Sequence, residues 1–167
     1  SAAYDCVNRN LLWREMENYG VNAHMISVCQ SLFDSNDSNL VVNGMRSNDI
    51  KCRRGLLQGS TMSPLLFNLY INSLVRALDA NFPKLITKGL VSKIFFYADD
   101  IELHAKKAAV MQDMLDECNR WGVTFGMGFA VGKCAILSRK KMMPEFKLQG
   151  GTIPVVKKFV FLGVECD

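Results

Sequence analysis

The chain has 167 residues, of which 49% are hydrophobic and 22% are charged. This length suits one domain with a sizeable core, and the composition excludes a disordered or low-complexity protein. No apolar run is long enough to cross a bilayer and no signal peptide is recognised, so we expect no membrane partner. The formal net charge of +4 is only mildly basic. Local lysine and arginine clusters are compatible with a polyanionic partner, but they do not identify nucleic acid.

Apolar spacing predicts helices and short strands in mixed order. The predicted helices cover residues 8–17, 22–35, 64–78 and 107–120. The predicted strands cover residues 40–42, 45–52, 94–97, 101–103, 135–137, 146–148 and 159–164. Because the order is not a regular βαβ alternation, we expect an α+β fold with a mainly antiparallel sheet packed on helices.

Turn and cap residues mark the boundaries of several elements. Asn22 and Ser63 are predicted helix caps, and Gly20 is a predicted helix stop. The dipeptide Asn43-Gly44 predicts a tight hairpin turn, since both positions favour positive φ. Residues 55–63 are predicted to form a loop that leads into the third helix.

The six cysteines are scattered and show neither a Cys-x-x-Cys pair nor zinc-site spacing. We interpret them as reduced, partly buried thiols of an intracellular protein, with disulfides as the alternative. They are Cys6, Cys29, Cys52, Cys118, Cys134 and Cys166.

Two adjacent carboxylates, Asp99 and Asp100, follow the apolar run IFFY at residues 94–97. The flanking strands predict that both lie at or near the tip of a hairpin. A solvated turn would explain an Asp-Asp dipeptide alone, because Asp bonds its own backbone. Here the acids emerge from a buried-strand composition, and their mutual repulsion would be relieved by a divalent cation. Hard oxygen ligands suit Mg²⁺, as in nucleotidyl-transfer sites.

A second group of residues lies in the loop before the third helix. Gln58 and Ser60 can exchange hydrogen bonds with sugar, phosphate or base edges, and Gly59 lets a base or another backbone approach. The start of the following helix favours a nearby phosphate. An ordinary capped helix after a turn would explain Ser63 and Pro64, but not the Gln-Gly-Ser sequence before them.

In combination these segments resemble the palm domain of reverse transcriptases, and most of all the non-LTR (LINE-like) class. The likeness spans residues 1–167, beginning inside motif A and ending near the primer-grip strand. YADD at residues 97–100 resembles the YxDD box, and QGS at 58–60 with SP at 63–64 resembles motif B. SAAYD at 1–5 resembles the tail of motif A, residues 121–137 resemble motif D, and FLGV at 161–164 resembles the primer grip.

The resemblance implies an RNA-directed DNA polymerase that uses Mg²⁺, or Mn²⁺, and acts on an RNA template, a DNA primer and dNTPs. It implies an intracellular, nuclear location and leaves the oligomeric state open. Asp99 and Asp100 would be the catalytic, metal-binding residues. The implied nucleotide-binding residues are Tyr4, Gln58, Gly59, Ser60 and Lys133, and the implied primer-grip residues are Phe161, Leu162 and Gly163. Tyr4 would be an aromatic gate against a 2′-hydroxyl, with a buried core tyrosine as the alternative; Lys133 could equally be a solvated surface lysine.

One departure from the family pattern bears on activity. The family's first metal-binding aspartate would lie two residues before Ser1, and the segments expected to form fingers and thumb are largely absent. We therefore expect this chain alone to be inactive and to be an excerpt of a longer protein. A non-catalytic, polymerase-like scaffold that holds RNA is the alternative. An RNA-directed RNA polymerase is disfavoured by Tyr4 and by the Tyr-Ala lead-in to the two acids.

Overall fold

A computed structural model describes residues 3–34, 37–82, 86–87, 90–91, 94–140 and 142–167. Within these ranges the helices are α1 (Arg9–Asn18), α2 (Ala23–Asp34), α3 (Ser63–Asn81) and α4 (Ala108–Phe125). The strands are β1 (Asp37–Ser38), β2 (Val41–Val42), β3 (Met45–Arg46), β4 (Ile50–Lys51), β5 (Ile86–Thr87), β6 (Leu90–Val91), β7 (Ile94–Tyr97), β8 (Asp100–Leu103), β9 (Ile136–Leu137), β10 (Phe146–Leu148), β11 (Gly151–Ile153), β12 (Val155–Val156), β13 (Phe159–Phe161) and β14 (Val164–Cys166). Single 3₁₀ turns cover Tyr4–Cys6 and Val131–Lys133. None of the described helices is long and apolar enough to cross a membrane.

The described strands pair two by two. Antiparallel partners are β1 with β4, β2 with β3, β5 with β6, β7 with β8, β10 with β11, and β13 with β14, whereas β9 and β12 are parallel. The predicted mixture of helices with antiparallel strands is confirmed. The described strands do not join into the one mainly antiparallel sheet that the sequence predicts, and they form two-stranded pairs instead. Strands of two to four residues have only a few backbone groups left with which to bond a third strand.

The chain divides into two compact units, Ser1–Ser73 and Leu74–Asp167. In the first unit, α1 packs on α2 through buried apolar faces. The rings of Trp13 and Phe33 pack edge to face, with their centroids 5.9 Å apart. Asn8 caps α1, because its Oδ1 accepts the backbone N–H groups of Asn10 and Leu11 at 3.0 and 3.3 Å. Asn22 caps α2 as predicted, accepting the N–H of His24 at 2.8 Å.

Arg9 is a buried cation in the first turn of α1, only 7% exposed. Its Nε donates to the Gly55 carbonyl at 2.8 Å, and its Nη1 donates to the carbonyls of Phe33 and Cys52 at 2.9 and 2.6 Å. Nη2 reaches the Arg54 carbonyl at 3.4 Å, and the guanidinium lies 5.2 Å from the centre of the Phe33 ring. The fork of donors therefore joins α1, the end of α2 and the segment that leads to the predicted motif B loop.

In the second unit α4 packs on β10. Phe146 and Leu148 of β10 and Met114 of α4 are buried. The amide of Gln112 pairs with the backbone of Lys147 in both directions, donating at 3.0 Å and accepting at 2.9 Å. This reciprocal pair continues the hydrogen-bonding edge of β10 and fixes the register of the helix on the strand.

Four local predictions are corrected by the structure. The predicted strand 45–52 is divided into β3 and β4, because β3 pairs with β2 whereas β4 pairs with β1. The fourth helix continues past residue 120 to Phe125, because its C-terminal cap is Gly126, which has a left-handed φ of +68° and donates its N–H to the Gly122 carbonyl. Ser63 does not cap α3 with its side chain; its hydroxyl donates to the Leu57 carbonyl at 2.6 Å instead. Residues 159–164 are not one strand, because β13 and β14 fold back on each other at a turn.

That turn consists of Leu162 and Gly163, with φ values of 49° and 79°. Positive φ at both central positions is the geometry of the tight hairpin turn that the twist of antiparallel strands favours. The same geometry occurs at Asn43 and Gly44, with φ values of 50° and 79°, where the hairpin prediction is confirmed.

Candidate active site

The Asp99–Asp100 pair lies at the tip of the β7–β8 hairpin, as the sequence predicts. The register pairs Tyr97 with Asp100, so that Ala98 and Asp99 form the two-residue turn. Ala98 has a φ of +52°, which lies in the left-handed region and costs a residue with a Cβ about 1–2 kcal/mol. The hairpin ladder therefore holds the tip in a conformation that the local sequence does not favour, and such strain is common at functional sites.

Both carboxylates of this tip are exposed to solvent. Neither Asp99 nor Asp100 makes a side-chain hydrogen bond or an ion pair with another residue in the described part of the chain. Their oxygens are thus available to a hard cation, and one or two such carboxylates, together with substrate phosphates, are a usual ligand set for Mg²⁺. Among the described residues no third acidic, histidine or cysteine side chain completes a metal-binding cluster.

A second concave site lies in the first unit, with a volume of about 420 Å³. Its lining includes Tyr4 from the 3₁₀ turn and Gln58, Gly59 and Ser60 from the loop before α3. The sequence assigned a nucleotide-binding role to these four residues, and the structure brings them together although the chain separates Tyr4 from the loop. We call this site the motif B groove, and the start of α3 completes its lining with Ser63 and Pro64.

Backbone hydrogen bonds connect the two segments that form the motif B groove. The Leu56 N–H donates to the Tyr4 carbonyl at 2.9 Å, and the Gly55 N–H donates to the Val7 carbonyl at 2.8 Å. Within the loop, Ser60 Oγ accepts the N–H of Met62 at 3.3 Å. These bonds fix the loop backbone relative to the turn that carries Tyr4, so the groove is preformed.

Tyr4 is half-buried rather than fully enclosed. Its ring stacks on Phe67 of α3, with centroids 4.8 Å apart and planes 10° from parallel. Stacking restrains the ring while leaving it part of the groove lining. A Cβ at Gly59 would meet no protein atom within 4 Å, so the groove is open at that point.

The remaining predicted site residues belong to the second unit. Lys133 is exposed in the Val131–Lys133 turn and has no ion pair with another described residue. Phe161 ends β13, and Leu162 and Gly163 form the turn that follows. Their predicted roles rest on the resemblance in sequence.

Two residues near the groove were not given a site role by the sequence. The Asp5 carboxylate accepts hydrogen bonds from Gln58 Nε2 at 3.3 and 3.5 Å. Arg9 donates to the carbonyls of the segment that precedes the groove. The position of Asp5 beside Tyr4 was an available signal, whereas nothing local marks Arg9, because its partners are distant in the chain.

Comparison with known proteins agrees with these observations. Residues 1–166 match the family described as reverse transcriptase (RNA-dependent DNA polymerase), and the chain belongs to this family. It is 28% identical over 97% of its length to a retrovirus-related Pol polyprotein from the type-1 retrotransposable element R2 of Popillia japonica. It is 25% identical over 80% of its length to the corresponding polyprotein of the type-2 element R2DM of Drosophila melanogaster. It is 22% identical over 88% of its length to an RNA-directed DNA polymerase from the mobile element jockey of Drosophila funebris.

The predicted resemblance to reverse transcriptases of the non-LTR class is therefore confirmed. The chain spans 29% of the length of the Popillia relative, 13% of the R2DM polyprotein and 17% of the jockey polymerase. The family is thus established for a segment that forms only a part of each of these relatives.

Proposed function

We propose that this chain is the palm portion, residues 1–167, of an RNA-directed DNA polymerase of a retroelement. The polymerase would extend a DNA primer on an RNA template with dNTPs. The observation that carries the proposal is the meeting of Tyr4 with Gln58, Gly59 and Ser60 in one groove. A shared structural role would not require an aromatic ring, an amide, a glycine and a hydroxyl to line one open concave surface.

Asp99 and Asp100 are the proposed metal-binding and catalytic residues. Two carboxylates that are exposed at a strained hairpin tip and bond no other side chain in the described ranges suit Mg²⁺, and Mn²⁺ can take the same oxygen ligands. Asp99 and Asp100 would hold the metal, whose charge would favour loss of the proton from the primer 3′-hydroxyl and would offset the charge of the triphosphate. A third carboxylate, from outside the described acidic pair, would complete the site.

The motif B groove is the proposed dNTP site. The Tyr4 ring would contact the sugar and exclude a 2′-hydroxyl by overlap. Gln58 and Ser60 would hydrogen-bond the nucleotide, and the open space at Gly59 would admit the base pair. The start of α3, whose Ser63 and Pro64 line the groove, would favour the triphosphate through the positive end of its dipole.

Residues of the second unit have further proposed roles. Lys133, exposed and without an ion-pair partner among the described residues, is the proposed contact for the departing pyrophosphate. Phe161, Leu162 and Gly163 are the proposed primer grip, at the β13–β14 turn. We place the activity in the nucleus, where the DNA product would be inserted.

The competing function is a polymerase-like scaffold that binds RNA without catalysis. Primer extension decides between them, using the product of the open reading frame that encodes this chain. A wild-type protein that extends a DNA primer on RNA with Mg²⁺ supports the polymerase. A folded wild-type protein that binds RNA but extends no primer, under Mg²⁺ or Mn²⁺, supports the scaffold.

The gate assignment has its own test, a comparison of ribo- and deoxynucleotide incorporation by wild type and Tyr4→Ala. We expect wild type to prefer dNTPs and the variant to lose about 10-fold or more of that preference, because the ring that overlaps a 2′-hydroxyl is gone. Tyr4→Phe is the matched control, since it keeps the ring and the stack on Phe67. Unchanged sugar preference in Tyr4→Ala would show that Tyr4 is not the gate.

A further inference from the structure

We propose that Asp5 is a positioning residue that sets the amide orientation of Gln58 and thereby presents Gln58 Oε1 to the bound nucleotide as a hydrogen-bond acceptor. This inference rests on the proposed dNTP site in the motif B groove. It adds a specificity-determining partner that lies outside the groove lining itself.

The orientation follows from the chemistry of the two side chains. An ionised carboxylate only accepts hydrogen bonds, whereas a carboxamide has a donating and an accepting end. Both Asp5 oxygens lie within hydrogen-bonding distance of Gln58 Nε2, at 3.3 and 3.5 Å. The opposite orientation would place Oε1 against the carboxylate and set two acceptors face to face. Nε2 therefore faces Asp5, and Oε1 has no other partner among the described residues.

Close backbone packing supports the contact between these side chains. Gly55 adopts a φ of +86°, and a Cβ there would lie 3.0 Å from both the Cα and the carbonyl oxygen of Asp5. Only a glycine lets the loop backbone approach Asp5 this closely. Arg9 secures the same glycine, since its Nε donates to the Gly55 carbonyl at 2.8 Å. The separation of Asp5 from Gln58 is thus set by buried backbone contacts, although both side chains are exposed.

The consequence for recognition is a choice of ligand group. An accepting oxygen in the groove favours a hydroxyl or an N–H of the nucleotide and disfavours a bare phosphate oxygen. The negative charge of Asp5 reinforces this choice, because it repels the triphosphate from this side of the groove. We infer that the sugar or base of the dNTP, rather than its phosphates, contacts Gln58.

The test is a double-mutant cycle in the product of the open reading frame that encodes this chain, with steady-state single-nucleotide incorporation as the assay. Asp5→Ala should raise the KM for dNTP about 3–10-fold and change kcat less than about 2-fold, as expected for loss of one aligned binding hydrogen bond. Asp5→Asn should show a smaller rise, because its carboxamide can still accept from Nε2. In a Gln58→Ala background, Asp5→Ala should add nothing, because the residue through which Asp5 acts has been removed.

A purely structural role for Asp5 would give a different pattern. Its replacement would then lower the melting temperature and would reduce activity by the same factor with or without Gln58. Glu17→Ala, which removes another exposed acid from the same unit, controls for the change in net charge. Additive effects, or an Asp5→Ala variant with wild-type KM in an active enzyme, would overturn the inference and leave the proposed function intact. A wild-type protein that neither extends a primer nor binds dNTP would overturn both.

Discussion

Replacing Arg9 by methionine should destabilise the first unit by about 3–5 kcal/mol. Three donor contacts at 2.6–2.9 Å join its guanidinium to the carbonyls of Gly55, Phe33 and Cys52. A hydrogen bond to a charged group contributes about 1.5–3 kcal/mol net, and the fourth contact, at 3.4 Å, adds little. The sum is reduced because methionine keeps apolar contact with Phe33 and removes the cost of burying a cation.

Urea unfolding followed by tryptophan fluorescence can measure this change in the first unit. The chain has two tryptophans, and Trp13, packed on Phe33, belongs to the first unit, whereas Trp121 belongs to the second. A Trp121→Phe background therefore makes the signal report on the first unit. Arg14→Met is the matched control, because Arg14 is exposed on the same helix and should change stability by less than about 0.5 kcal/mol.

Arg9→Lys adds a second control for the geometry of the fork. Lysine keeps the charge, but its compact ammonium cannot span carbonyls from α2 and the loop at once, so we expect an intermediate loss. An Arg9→Met variant within about 1 kcal/mol of wild type would show that the buried fork does not stabilise the unit, and the reasoning from these hydrogen bonds would be wrong.

Two further predictions concern the second unit. Gly122→Ala should lower the free energy of unfolding by about 1–3 kcal/mol, because its Cβ would lie 2.7 Å from the Met127 carbonyl oxygen. Gly132→Ala is the control and should be nearly neutral, since its Cβ would meet nothing within 4 Å. Urea unfolding followed by the fluorescence of Trp121 measures both changes, and equal effects would contradict the packing at Gly122. Burial raises the pKa of Cys118 from its usual 9.0 to about 12. At about pH 8, N-ethylmaleimide should therefore label the exposed Cys52 in the native chain, but Cys118 only after unfolding. Peptide mapping identifies the labelled cysteine. Because the folded state holds this proton more tightly, the stability contribution of the thiol is complete below pH 9.0 and is lost as the pH rises towards 12. Rapid labelling of native Cys118 would contradict its burial.

Elements defined by neighbouring residues could be predicted from the sequence. The Asn43–Gly44 turn and the Asp99–Asp100 hairpin tip follow from turn chemistry and from the strands on either side. The Asn8 cap likewise acts on the next few backbone groups. In each case the deciding contact lies within a few positions of the residue, so the local pattern contained the information.

Features that depend on distant residues could not be predicted in this way. The Arg9 fork binds carbonyls 24 to 46 positions away, and no local periodicity indicates them. The continuation of the fourth helix through Gly122 depends on the way the chain folds back after the helix, which brings the Met127 carbonyl against this glycine. The Ser63 hydroxyl donates to the Leu57 carbonyl in the preceding loop and does not cap its own helix. This hydrogen bond holds the loop that forms the groove.

The candidate site combines both kinds of information. The resemblance singled out Tyr4 and Gln58, but only the folded chain shows that they line one groove and that Asp5 holds the amide of Gln58. In the second unit, considered by itself, the carboxylates of Asp99 and Asp100 are exposed at a hairpin tip. The sequence predicted which side chains bind the nucleotide, and the backbone hydrogen bonds of the first unit define the shape of the groove.

The most direct test of the central claim is Mg²⁺-dependent DNA primer extension on an RNA template by the product of the open reading frame that encodes this chain, compared with its Asp99→Asn variant. Asn keeps the size and turn preference of Asp99 and removes the charge. We expect wild type to extend the primer and the variant to lose about 100-fold or more of the rate, because a metal-binding carboxylate is lost. Equal extension by both proteins would contradict the assignment of Asp99 to the metal site, and no extension by a folded wild-type protein that binds RNA would contradict the polymerase itself.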